Sequence, residues 1–224
     1  MVFCRASYLE NLPFDLAIDQ SRHNMVQLDQ MSDLFQSDPA YSQEVLMNFK
    51  ECRAKFGSPY QIEKALGEGR LFKMAAGIYS ETGDESEIEV LQAKYSNTVV
   101  SFDSAYFYYD MTDFIPEKYT LTVSNHARMP KDNRIRLFFV PENVLSVGLT
   151  TIDYNSSTIR IYDKERVLID TVRMKGRMPP DQYKEVINYF RRCRDELDGS
   201  KFPEYLELFP HRERIMRTID AEVF

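Results

Sequence analysis

A chain of 224 residues, 43% of them hydrophobic, with 15 Phe, 14 Tyr and no Trp, is long enough for one large domain or two small ones around a real core. Its net charge of −7 excludes a protein that coats nucleic acid through a globally basic surface, so any DNA binding has to come from a local patch. No apolar run approaches the roughly 20 residues that span a bilayer, and the opening MVFCRASYLENLPFDL, interrupted by Arg5 and Glu10, lacks the apolar core and cleavage site of a signal peptide. The expected location is the cytoplasm, with no membrane partner. Cys4, Cys52 and Cys193 are far apart without metal-ligand spacing, and His23, His126 and His211 are isolated. Neither a metal nor a cofactor is expected, and Cys52, on an apolar helical stripe, reads as a core residue rather than a nucleophile.

Residues 1–22 show no sustained period and read as an extension anchored by Leu12 and Phe14. Val26, Leu28, Met31, Leu34 and Phe35 loosely fit one face of a first helix, which Ser37, Asp38 and Pro39 end. Val45, Leu46, Phe49 and Cys52 take helical spacing in a second, closed by Gly57. The third is well marked: Ser58 suits the N-cap, Pro59 the first turn, and Gln61 completes a capping box. Ile62, Ala65 and Leu66 turn inward, and Gly67 and Gly69 stop the helix. Arg70 to Met74 has strand character, Ala75-Ala76-Gly77 turns, and Ile78 to Ser80 returns. Helix, helix, helix, hairpin is the order of a winged helix-turn-helix, assigned to residues 23–82.

With its apolar stripe inward, the third helix presents Tyr60, Gln61, Lys64 and Glu68 outward. A recognition helix reads bases from its amino-terminal half. Gln61 suits adenine edges, Ser58 and Tyr60 suit a phosphate at the helix N-terminus, and Lys64, Arg70 and Lys73 suit the DNA backbone, with Arg53 and Lys55 adding to the patch. A helical corner with a solvated charged face accounts for the same residues without DNA.

ETGDESE reads as a flexible break and places the domain boundary, so that residues 83–224 form the second domain. Ile88, Leu91 and Tyr95 fit a helix starting near Asp84. SFDSAYFYYD reads as a helix capped by Ser101, with Phe102, Ala105, Tyr106 and Tyr109 on its buried side, in preference to a base-stacking platform. Strands follow at Lys118 to Ser124, Arg134 to Val140, Thr150 to Tyr154 and Thr158 to Tyr162, the last pair joined by the hairpin signal DYNSST. Asp163 caps a helix carrying Val167, Leu168, Thr171 and Val172. After RMPPD, Tyr183, Val186, Ile187, Phe190 and Cys193 mark an amphipathic helix, and Ile215, Met216 and Ile219 a final one. The fold class is α+β: an N-terminal winged helix-turn-helix domain followed by a mixed α/β C-terminal domain.

No catalytic constellation assembles. Glu165 and Asp170 stand five apart, which does not put them on one helix face, Asp153 and Asp163 end strands, and Lys164 beside Glu165 supplies residue types without a nuclease-like spacing. RRCR at Arg191 to Arg194 closes a helix, where cations favour the macrodipole, and HRERIMR from His211 to Arg217 reads as a solvated face. The protein is not expected to be an enzyme.

Three stretches in order, YQIEKALGEGRLFKMAAGIYS, VVSFDSAYFYYDMTDFIPEKYTLTV and KERVLIDTV, resemble the AbiEi family, the antitoxin and transcriptional-regulator components of type IV abortive-infection toxin–antitoxin systems in bacteria. The resemblance rests on Gly77-Ile78-Tyr79 ending the hairpin, a Ser-initiated helix running from Ser101 to Asp113, Pro116 with Leu121-Thr122-Val123, and Glu165 to Asp170. It covers roughly Gln43 to Arg194. It implies an N-terminal winged helix that binds inverted repeats in its own promoter, and a C-terminal domain needed to counteract a nucleotidyltransferase toxin encoded beside it. It further implies opposition to that toxin in phage defence without a stable direct complex, and leaves room for self-association.

Overall fold

A computed structural model describes residues 46–127, 131–155 and 157–224. The N-terminal extension and the helix expected around Val26 to Phe35 lie outside them. Leu46–Phe224 forms one compact unit.

The chain enters this unit as a short strand, β1 (Met47–Asn48), where the sequence suggested that the second helix was already under way. The helix α1 (Phe49–Phe56) starts later because Asn48 is a better N-cap than any residue before it: its side chain accepts from the N–H of Lys50 at 2.9 Å and of Glu51 at 3.1 Å, while the Glu51 carboxylate accepts from the Asn48 N–H at 2.8 Å. Gly57 closes it at φ +92°, a conformation side chains resist. The next helix, α2 (Pro59–Gly67), carries the expected capping box, with the Gln61 carbonyl accepting from the Ser58 N–H at 2.9 Å and Ser58 Oγ accepting from the Gln61 N–H at 3.4 Å. Strands β2 (Phe72–Ala75) and β3 (Ile78–Ser80) form the expected hairpin, and β1 pairs with the other side of β3, Met47 opposite Tyr79, to give the order β1-β3-β2. Met47, Cys52, Ile62, Ala65, Leu71 and Tyr79 make its core. Burial, and then the charge of Glu81, push the Cys52 thiol up, away from nucleophile chemistry.

The stretch that reads as a flexible break is a hydrogen-bonded corner. Ser80 Oγ accepts from the N–H groups of Thr82 and Gly83, both at 3.0 Å, and donates to the Glu85 carboxylate. Gly83 sits at φ +81°, and a Cβ there would lie 2.9 Å from the Phe72 ring. Ser86 and Glu89 then form a capping box on α3 (Glu87–Lys94), which packs against β2 and β3.

Five strands follow: β4 (Val99–Val100), β5 (Tyr119–Ser124), β6 (Ile135–Val140), β7 (Leu149–Tyr154) and β8 (Ser157–Tyr162). The sheet order is β6-β5-β4-β8-β7, with β5–β6 and β4–β8 parallel and the other pairs antiparallel. The central β4 has only two residues, too few to serve β8 along its length. The Gln92 side chain stands in for the missing backbone: its Nε2 donates to the Arg160 carbonyl at 2.7 Å and its Oε1 accepts from the Arg160 N–H at 2.9 Å. At the β7–β8 turn Asn155 adopts φ +49°, as an Asn in a tight hairpin does.

Between β4 and β5 runs α4 (Phe102–Tyr108). Ser101 occupies its N-cap position but makes no cap bond; its hydroxyl accepts from Thr122 Oγ1 at 2.8 Å and ties the helix to the sheet. Ala105 and Tyr106 are buried as expected, Tyr108 joins them, and Tyr109 is half-buried with its hydroxyl donating to the Tyr162 carbonyl at 2.8 Å. These aromatics are core. The rest of the unit comprises α5 (Glu142–Leu145), α6 (Lys164–Met174), α7 (Pro180–Arg192), α8 (Lys201–Leu206) and α9 (Arg212–Glu222). Every residue of α6 from Glu165 to Val172 is buried, so it is the central helix, and Asp163 caps it by accepting from the Arg166 N–H at 2.9 Å. Among the described residues no helix is long and apolar enough to cross a membrane.

Candidate nucleic-acid interface

The six residues singled out from the sequence, Ser58, Tyr60, Gln61, Lys64, Arg70 and Lys73, are all exposed, on α2 and on the chain leading into and along β2. Tyr60 is 74% exposed. Ile62 and Ala65 turn into the core, which leaves Tyr60, Gln61, Lys64 and Glu68 on one outward face. The net charge of the whole chain conceals a local excess. Between Met47 and Ser80, Lys50, Arg53, Lys55, Lys64, Arg70 and Lys73 oppose only Glu51, Glu63 and Glu68.

Several of these groups are already engaged. The carboxylate of Glu68, at the C-terminal end of α2, receives Lys64 Nζ at 3.8 Å and Arg70 Nε at 2.9 Å. It therefore gathers two of the three candidate backbone cations. Lys55 pairs with Glu81 across to the corner after β3. Lys73 has no carboxylate partner among the described residues, and neighbours a bulge in the β2–β3 pairing. The Gln61 carbonyl is held by the capping box, so a bidentate contact to adenine, which needs both amide atoms, requires that box to open. The sequence places Glu68 on the outward face without assigning it a role. Its i,i+4 relation to Lys64 was visible, but its grip on Arg70 depends on how the chain leaves the helix.

Of the acidic residues weighed for catalysis, Asp163, Glu165 and Asp170 are spent inside the fold, while Asp153 is exposed on β7 and accepts from Thr158 Oγ1 at 2.9 Å. Arg166 is fully buried; its Nε donates to Asp170 at 3.0 Å, NH1 donates to the carbonyls of Val144 at 2.9 Å and Val147 at 2.8 Å, and the guanidinium stacks 4.3 Å from the Tyr162 ring centre. Arg173 donates to the other Asp170 oxygen at 2.6 Å. Glu165 accepts from the Asp198 N–H at 2.7 Å, and Lys201 bridges it to Asp163, which also accepts from the Tyr205 hydroxyl at 2.8 Å. Asp163 and Glu165 together hold the Lys201 ammonium well above the usual range. Glu165 and Asp170 thus face different partners, and each is satisfied within the chain. Among the described residues no three His, Cys, Asp or Glu side chains are placed to hold a metal. The basic run from His211 to Arg214 is exposed at the start of α9, where His211 takes φ +62°.

Fold and geometry together define a mixed α+β protein with a helix-helix-hairpin element at the start of the described chain. No family model matches it, and comparison with curated proteins finds no match. Among solved structures, the crystal structure of the RV2827C protein from Mycobacterium tuberculosis is similar, with a TM-score of 0.54 and 13% sequence identity over 85% of this chain and 75% of that one. At that identity the likeness speaks to the fold alone.

Proposed function

We propose that this protein is a DNA-binding antitoxin of the AbiEi kind, which represses its own operon and counteracts a nucleotidyltransferase toxin without forming a stable complex with it. The observation that carries the reading is the arrangement of α2: a doubly capped helix laid beside α1, followed by a hairpin whose third strand, β1, precedes both helices. A short strand, two helices and a hairpin, paired β1-β3-β2, is the chain order from the first strand onward of a winged helix, in which the second helix enters the major groove. The local cation excess supports the same reading. Tyr60 and Ser58 at the N-terminal end of α2 would meet phosphate, Lys73 would meet the backbone from the wing, and Lys64 and Arg70 would do so once released from Glu68.

A second reading takes its support from Glu68: an interaction module of the same fold, whose two principal cations are neutralised and which has lost specific DNA binding. Fluorescence anisotropy with the DNA upstream of its own gene, against scrambled DNA and across a salt series, separates the two. Selective binding that weakens with salt and is lost in Lys64→Ala with Arg70→Ala supports the repressor. Equal weak binding to both DNAs, or none, overturns it.

A further inference from the structure

A cleft of about 620 Å³ opens at the sheet end where Asn97, Ser124, Glu142, Leu145, Leu149 and Arg160 meet. That volume lies in the range of small-molecule sites, roughly 300–1,000 Å³. Its chemistry is asymmetric. Arg160 is half-buried and has no carboxylate partner among the described residues; a desolvated cation without a counter-charge is uncommon in a folded protein. Only one of its guanidinium nitrogens is held, NH2, which donates to the Gln92 carbonyl at 2.9 Å near the C-terminal end of α3. That bond fixes the side chain and leaves Nε and NH1 without an acceptor among the described residues. Burial alone pulls the guanidinium down from its usual range, in keeping with a cation that lacks its counter-charge.

Ser124 strengthens the case. It is 6% exposed, and its oxygen accepts from the His126 N–H at 3.3 Å, so its O–H remains to donate and has no acceptor among the described residues. Beside it the exposed amide of Asn97 adds a donor. A pinned guanidinium and neighbouring neutral donors match an anion with several acceptor oxygens. Leu145 and Leu149, the latter 47% exposed, add apolar surface to the lining. The exposed Glu142, also in the lining, suits hydroxyl or amine donors. We propose that this cleft binds a small phosphate monoester, its phosphate on Arg160, Ser124 and Asn97, and its organic body along Leu145 and Leu149 toward Glu142.

The experiment is isothermal titration calorimetry on the full chain with AMP, ribose 5-phosphate and inorganic phosphate as probes. At least one ester is expected to bind more tightly than inorganic phosphate. Arg160→Gln removes the cation. Leu149→Glu leaves Arg160 and its Gln92 bond in place and adds a negative charge to an exposed wall, so one variant stands if the other fails to fold. Each folded variant is expected to weaken ester binding by at least about tenfold, the size of one lost charge-assisted hydrogen bond. No binding of any probe, ester binding unchanged in the folded variants, or inorganic phosphate bound as tightly as the esters overturns the proposal.

Discussion

Replacing Glu68 by Gln is the change that most directly separates a DNA-reading helix from a solvated corner. Glu68 holds Lys64 at 3.8 Å and Arg70 at 2.9 Å, and all three side chains are open to solvent, at 43%, 60% and 58%. Exposed pairs of this kind contribute about 0.2–1 kcal/mol each. If α2 lies against DNA, both pairs have to open before the cations reach phosphate, and the carboxylate they leave behind repels the duplex. Glu68→Gln removes both costs. Opening two pairs amounts to about 0.5–2 kcal/mol, which converts to a gain in affinity of about 2- to 30-fold. If instead the pairs stay closed in the parent's complex, the variant gains up to two phosphate contacts, and the dependence of log affinity on log salt steepens by up to about 1.8. Stability should fall by no more than the same about 0.5–2 kcal/mol, since the variant lacks both pairs in the free protein as well. The assay is anisotropy on the upstream DNA across a salt series, with a thermal unfolding curve as control. A variant that remains folded yet binds with the parent's affinity and salt slope would refute the placement of this helix face on DNA.

Three further outcomes follow from the packing. Asp170→Asn leaves the buried Arg166 guanidinium without its counter-charge and takes the partner from Arg173, so the urea midpoint should fall by an amount corresponding to about 3–5 kcal/mol. Gly148→Ala should lower the melting temperature, since at φ +71° its new Cβ would lie 2.5 Å from Arg166 Cβ and 2.9 Å from Asp163 Oδ1; an unchanged melting temperature would mean that the β7 entrance yields more readily than this packing implies. Arg134, hydrogen-bonded to Asp132 through Nε at 3.0 Å and NH2 at 2.8 Å, holds that carboxyl well below the usual carboxylate range. The folded-state value is depressed, so its contribution is fully present above the unfolded value of about 3.9 and is lost as pH falls below it toward the folded value. Asp132→Asn should therefore flatten the acid limb of stability against pH in that window and leave its shape near neutrality unchanged, as read from chemical unfolding at a series of pH values.

Local chemistry was the legible part of the sequence. The Ser58–Gln61 box, the Asp163 cap, the β2–β3 hairpin and the β7–β8 turn at Asn155 are decided by residues within a few positions of one another. The start of α1 was misplaced for an instructive reason. The apolar stripe through Leu46 and Phe49 pointed upstream, while Asn48 and Glu51 supplied a cap that satisfies orphan N–H groups, and the cap prevailed. The two-residue β4 carries no usable period, and only its neighbours in the sheet make it a strand. ETGDESE is polar in composition, yet Ser80 and Glu85 turn it into an ordered corner through bonds that composition does not reveal. In the candidate interface, exposure was readable from the helical period; the capture of Arg70 by Glu68 was not, because it depends on the path taken after Gly69. The Arg160 cleft was beyond reach altogether, since the contact that pins the guanidinium joins residues 68 positions apart.

The segment on which the resemblance leans late in the chain, Glu165 to Asp170, bears on how the proposed antitoxin activity can be located. Its residues lie in the buried middle of α6, with Arg166 and Asp170 partnered inside and Glu165 bound to the Asp198 N–H and Lys201. Their polar atoms are spent inside the fold except Arg166 NH2, which has no hydrogen-bond partner but is fully buried, so none is open to a toxin or its substrate. A variant here that fails to protect cells would report the loss of the central helix, with the DNA-binding element failing alongside it, since α3 packs on β2 and β3 and the whole of Leu46–Phe224 is one compact unit. Protection has to be sought on the surface of the α+β part, where substitution leaves folding intact. Arg160→Gln and Leu149→Glu meet that condition if their unfolding curves match the parent's. Loss of protection in those variants with operator binding retained would place the antitoxin activity at the cleft. Retained protection in both would direct the search to the other exposed groups of the region, beginning with the exposed edge of β6 and the run from His211 to Arg217.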